Sequence, residues 1–147
     1  MIGIKPKHKE GDPRVARALE ALEIKYEVDK DGDFQFGFNL TEERSQMGFI
    51  RSSTFRFGEV EMREIFSIGL KSFGPFDSRT ANFLLEHNNS VKIGAWATVR
   101  DAEDSHLALF TAKVAAELEG ELLKEVIVAV LITADEMEKR LSGRDDF

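Results

Sequence analysis

The chain has 147 residues, 42% of them hydrophobic and 32% charged, with no cysteine and a formal net charge of -7. This excludes an intrinsically disordered chain and suffices for one domain with a real core, while the missing cysteine excludes disulfides, thiolate zinc sites and cysteine nucleophiles. The acidic balance disfavours nucleic acid, and no apolar run could serve as a signal or membrane-spanning core, so a cytoplasmic location without membrane association is expected.

Residues 1–12 read as a loose basic leader. Asp12-Pro13 then offers an N-cap with proline at the first helical position, and Val15, Ala18, Leu19 and Leu22 share one face of the helix that follows. From Lys25 the period changes to two. Lys25–Val28, the turn Asp29-Lys30-Asp31-Gly32-Asp33, and Phe34, Phe36, Phe38 and Leu40 alternating with polar residues predict a hairpin around a type I′ turn. Its aspartates stand at positions 1, 3 and 5 of a would-be calcium loop, but Phe34 and Leu40 fall at positions 6 and 12, where glycine and a bidentate glutamate are required. No calcium is expected there.

Ser45–Ser53 predicts another strand with Met47 and Phe49 on one face, and a turn follows near Phe57-Gly58. Over Glu59–Leu70, Val60, Met62, Phe66, Ile68 and Leu70 face one way and Glu59, Glu61, Arg63, Ser67 and Gly69 mostly the other, with Glu64 and Ile65 breaking the alternation as a bulge would. Gly74–Ser78 is a turn ending in a cap. A short helix opens with Ala81, Phe83, Leu84 and Leu85 and stops at His87-Asn88-Asn89. Strands are predicted over Val91–Val99 and His106–Val114, then a last helix from near Glu117 to near Leu141 and a short exposed tail over residues 142–147. The β-branched run Val126–Val130 is compatible with a strand, but a period of three to four from Leu118 to Leu141 favours helix.

That helix is apolar almost all round between Leu122 and Ile132, so it must be covered on more than one side. A sheet on one side and a second subunit on the other is the expectation, with Leu123, Ile127, Val128 and Leu131 at the dimer interface. The order α-β-β-β-α-β-β-α predicts an α+β sandwich over residues 13–141, an antiparallel sheet with three helices.

Constellations for catalysis are missing from the sequence. His8, His87 and His106 share no ligand spacing, and neither a Gly-x-Ser-x-Gly turn nor a glycine-rich phosphate loop occurs. Ser52-Ser53-Thr54 reads as a strand hydroxyl run, and Glu59, Glu61 and Glu64 with Arg63 read as a solvated strand face. No catalytic, cofactor-binding or metal residue is assigned, no cofactor is expected, and the protein is not expected to be an enzyme. Phenylalanine is abundant, 12 residues against one tyrosine and one tryptophan. Phe55, Phe57, Phe73 and Phe76 fall in predicted turns. Arg51, Phe55, Arg56, Phe57 and Phe76 are therefore the expected partner-binding patch, unless Phe55 and Phe57 fold back under their loop.

Three segments resemble the YbjN-like family: Leu22–Phe34, with its aromatic strand and acidic Asp-Gly turn; Phe83–Asn89 followed by Gly94-Ala95-Trp96; and Ala134–Leu141. The resemblance covers about residues 13–141. It implies the type III secretion chaperone-like fold of a bacterial sensory transduction regulator that dimerises and binds polypeptide without catalysis. The functional expectation is thus a regulatory or protein-interaction module, a homodimer with a protein or peptide partner. The alternatives are a small-molecule sensor or hydrolase with a pocket near His87 and His106, and, by fold analogy, a secretion chaperone for one effector.

Overall fold

A computed structural model of the chain describes residues 10–102 and 104–147. His8 and most of the expected leader lie outside the described residues. Helix α1 (Pro13–Ala21) begins as the sequence predicts, with Asp12 as N-cap accepting the Arg14 N–H at 2.9 Å. Asp12 itself is not loose: its N–H donates to Ser52 Oγ at 3.0 Å. Glu23 then takes a left-handed conformation (φ 59°) as the chain turns from α1 towards the sheet.

Seven strands follow: β1 (Glu27–Val28), β2 (Phe34–Asn39), β3 (Ser45–Ile50), β4 (Phe55–Phe57), β5 (Val60–Phe73), β6 (Ala95–Ala102) and β7 (Ser105–Ala115). Helix α2 (Ser78–Asn88) separates β5 from β6, and α3 (Gly120–Leu141) closes the order. The strands lie as β1-β2-β3-β5-β7-β6, every pairing antiparallel, with β4 folded back on β5. The fold is α+β with three helices, as expected, and the long elements keep the expected order; β4 forms where a turn was predicted. The hairpin turn differs too. A type I′ turn needs two central residues with positive φ, whereas only Gly32 (φ 86°) has one here, its N–H donating to the Asp29 carbonyl at 3.0 Å.

All three helices serve one face of the sheet. α3 lies across β3, β5 and β7, and α2 packs on β6. Phe34 and Phe36 on β2, Ile50 on β3, Ile65 on β5 and Phe110, Ala112 and Val114 on β7 meet Leu19 of α1 and Leu123, Val126, Ile127, Val130 and Leu131 of α3 in one core. Burying such a side chain contributes roughly 1.5–3 kcal/mol. Leu123, Ile127 and Leu131 were expected at a dimer interface, but they are consumed by this core, Ile127 being 0% exposed. They have no surface left for a second subunit. Val128 is half-buried, and the apolar side that α3 shows to solvent is carried by Leu122 (60% exposed) and Ile132.

Strand β5 reverses an expectation about phase. Val60, Met62, Phe66 and Ile68 do share a face, but it is the face without helices; the core side takes Arg63, Ile65 and Ser67, all buried. The irregularity falls between Ile68 and Leu70, not at Glu64-Ile65, and it brings Leu70 into the core. Gly69 sits at that point because a Cβ there would come within 2.7 Å of the Trp96 ring.

β3 and β5 pair only through Phe49–Phe66 and Ile50–Ile65. Beyond that point side chains bridge the split: Gln46 Nε2 donates to Ser67 Oγ (2.8 Å) and the Ile68 carbonyl (2.7 Å), and Ser67 Oγ donates to the Met47 carbonyl (2.6 Å). The tail occupies the mouth of the split. Met47 N–H donates to the Phe147 carbonyl at 2.7 Å and Arg44 Nη2 to the Arg144 carbonyl at 2.7 Å, so a segment whose side chains are mostly exposed has a docked backbone.

Candidate contact surface

Strand alternation places every second residue on the side away from the helices, and pairing register aligns them in rows. One row runs Phe49, Phe66, Thr111, Ala95 across β3, β5, β7 and β6; the next runs Ile68, Leu109, Ala97. At one end β4 adds Phe55 opposite Met62 and Phe57 opposite Val60. Phe49 and Phe66 stack with ring centroids 5.0 Å apart and planes 14° from parallel. The Arg51 guanidinium lies 4.7 Å above the Phe66 ring, an attraction strengthened by the ring quadrupole.

Arg51 is fixed there by Glu64. Its Nε donates to Glu64 Oε1 at 2.8 Å, while Glu64 Oε2 accepts from Thr111 Oγ1 at 2.6 Å. Burial pushes the Glu64 carboxyl up, but the bonds from Thr111 and Arg51 outweigh it and hold the group below the usual carboxylate range. A charged pair thus anchors an aromatic row that none of the described helices covers. Phe57 (76% exposed), Phe55, Val60, Val99 and Met47 extend it into solvent.

Of the expected patch, Arg51, Phe55 and Phe57 converge on this face, and the two phenylalanines do not fold back. Arg56 is exposed, but alternation along β4 sets it opposite to Phe55 and Phe57, across from Glu61. Phe76 does not join them: it precedes α2 and packs against the main core. Phe49, Phe66, Ile68 and Leu109 were missed. Their signal was present in the shared face of Met47 and Phe49, but a period of two cannot say whether a face is covered.

The other sequence candidates have structural employment. Arg63, expected on a solvated face, is 2% exposed: its guanidinium donates to Asp12 Oδ2 (2.6 Å) and to the carbonyls of Arg51 (2.8 Å), Ser52 (3.0 Å) and Ala116 (3.3 Å). Burial opposes ionisation of Asp12, but hydrogen bonds from Arg14 and Arg63 prevail and hold its carboxyl well below the usual range. Glu61 is gripped by both terminal nitrogens of Arg14 (2.9 and 3.0 Å), which with Thr54 brings it down to about 2. Ser52 Oγ, besides accepting from Asp12, donates to the Gly32 carbonyl, tying the hairpin to the start of α1.

His87 Nδ1 accepts from the Trp96 indole N–H at 3.0 Å, so one ring nitrogen is committed to holding α2 on β6. His106 pairs across from Ser72 and Arg100, four residues along β7 from the Trp96 partner Phe110, or roughly 13 Å away along the strand. The principal clefts among the described residues, lined for example by Arg14, Arg17 and Glu117–Glu119 or by Arg79, Phe83 and Leu141, include neither histidine. No described helix is long and apolar enough to cross a membrane.

No family model, no curated protein and no solved structure matches the chain. The resemblance to the YbjN-like family therefore has no support beyond the residues that suggested it.

Proposed function

We propose that the protein is a non-enzymatic interaction module and that its helix-free sheet face is the contact surface, occupied by a second copy of the chain. The observation that carries this reading is the stacked pair Phe49–Phe66, held by Arg51 and Glu64 on the side of the sheet away from the described helices, where Phe66 is itself buried but Phe57, Phe55, Val60, Val99 and Met47 around it are exposed. Strands about 4.8 Å apart and a 14-residue β5 make that face roughly 24 Å across and up to about 45 Å long along β5. The face carries both signs of charge, through Arg51, Lys113 and Glu64, so two copies can approach without the repulsion that the overall charge of -7 imposes elsewhere.

Light scattering on a dilution series tests it. The wild type should run as a dimer, and Phe57→Asp combined with Val60→Asp should give a monomer with unchanged circular dichroism, since both residues are exposed. A wild type that stays monomeric up to its solubility limit, or a dimer indifferent to both substitutions, refutes the reading.

A further inference from the structure

At the far end of α3 the chain collects negative charge. Asp135 and Glu138 on α3 and Asp145 in the tail each place one carboxylate oxygen within 4.8 Å of the other two. Asp135 and Glu138 are buried, the Glu138 side chain to 1% exposure. Its Oε2 accepts the Asp146 N–H at 2.5 Å, but its Oε1, out of reach of bulk water, accepts no hydrogen bond from the described residues.

Arg44 is the cation at hand and does not complete the site. Its Nε bonds Asp135 Oδ1 at 2.9 Å and its Nη2 bonds the Arg144 carbonyl, leaving Nη2 3.6 Å from Glu138 Oε1 and 3.8 Å from Asp145 Oδ1, beyond hydrogen-bond range. Three carboxylates thus face one guanidinium. A buried carboxylate oxygen with a cation only at 3.6 Å and no hydrogen bond calls for either a proton or a closer cation. Burial does push the Glu138 carboxyl up.

We propose that Asp135, Glu138 and Asp145 form a binding site for a hard divalent cation of calcium's size, which clamps the tail to α3. The donors are all oxygen, which selects hard cations over zinc or copper. Three carboxylates whose oxygens lie within 4.8 Å of one another suit calcium, which takes several protein oxygens in a flexible shell, better than magnesium, which demands near-ideal octahedral geometry and keeps most of its waters. Asp145 is exposed, which gives the ion an entry path and water for its remaining positions. Because Asp145 belongs to the segment whose Phe147 carbonyl holds Met47, ion binding secures the tail in the mouth of the split between β3 and β5. Arg44 acts as a competitor for the same oxygens.

The test is calorimetric titration of the full chain with calcium chloride, and with magnesium chloride for comparison, alongside thermal melts in calcium and in chelator. Calcium should bind saturably and raise the midpoint as its concentration exceeds Kd, with magnesium weaker. Asp145→Asn, in the exposed tail, should lower affinity at least 10-fold without unfolding the protein, and Glu138→Gln should abolish binding. Arg44→Gln should tighten it, calcium restoring whatever stability that variant loses. Calcium without a saturable effect on both wild type and Arg44→Gln means that Glu138 is simply protonated, and overturns the proposal. So does binding that survives Asp145→Asn unchanged, which marks an adventitious ion only.

Discussion

Replacing Asp12 by alanine should damage this protein far more than a residue next to the described amino end ordinarily could. Two losses combine. The N-cap bond to Arg14 N–H disappears, worth about 1 kcal/mol. The larger loss is at Arg63, which keeps its carbonyl partners at residues 51, 52 and 116 but no longer has a counter-ion at 2.6 Å; stranding one member of a buried pair costs about 3–5 kcal/mol. The carbonyls soften the second term, so a total of about 3–5 kcal/mol is expected, or roughly 10–15 °C in midpoint for a chain of this length. Urea denaturation at pH 7 measures it, and Arg63→Met should be less harmful in the Asp12→Ala background than in the wild type. The pH dependence fixes the sign. Because the folded protein holds the Asp12 carboxyl below its ordinary value of 3.8, the unfolded chain binds the proton more readily, so the contribution is complete above that value and fades as pH falls below it. The gap between wild type and Asp12→Ala should therefore narrow from pH 5 towards pH 2. A loss under about 1 kcal/mol at pH 7, or a gap that widens in acid, would refute the role given to this pair.

Leu131→Ala should cost about 2–5 kcal/mol and leave oligomeric state alone, because the side chain lies in the chain's own core, whereas Leu122→Ala on the solvent side should stay within about 0.5 kcal/mol by denaturant melt. His87→Phe removes the acceptor of the Trp96 indole N–H, a buried donor, and should cost about 1–3 kcal/mol. As Trp96 is the only tryptophan, its emission reports the change directly, and His87→Gln should restore part of the loss; unaltered emission and stability in His87→Phe would show that the bond does nothing.

The sequence shows its elements better than it shows what covers them. The N-cap at Asp12, the alternation of β2, and the long period of α3 are local, and each appears in the structure where local chemistry places it. Arg63 was assigned to solvent because lone charges are seldom buried, and its partners come from Asp12, residues 51–52 and Ala116, segments that only folding brings together. One side of α3 was assigned to a second subunit because sequence cannot show how far a sheet wraps a helix: β3, β5, β7 and the α1 side chains cover most of its apolar circumference. The acidic cluster was illegible altogether, since Asp145 joins Asp135 and Glu138 only when the tail turns back along β3.

The two lateral margins of the sheet restrict how copies of this chain can assemble. β1 is two residues long, too short to template another strand, and β6 carries Arg100 and Asp101 beside a register shift at Arg100–Ala102 that interrupts its free hydrogen-bonding line. Growth by adding strands is thus disfavoured, most strongly at the β1 margin. The proposed association through the helix-free face would be self-limiting in a different way: a surface used once by each of two copies is exhausted, so stacking would end in a closed twofold pair.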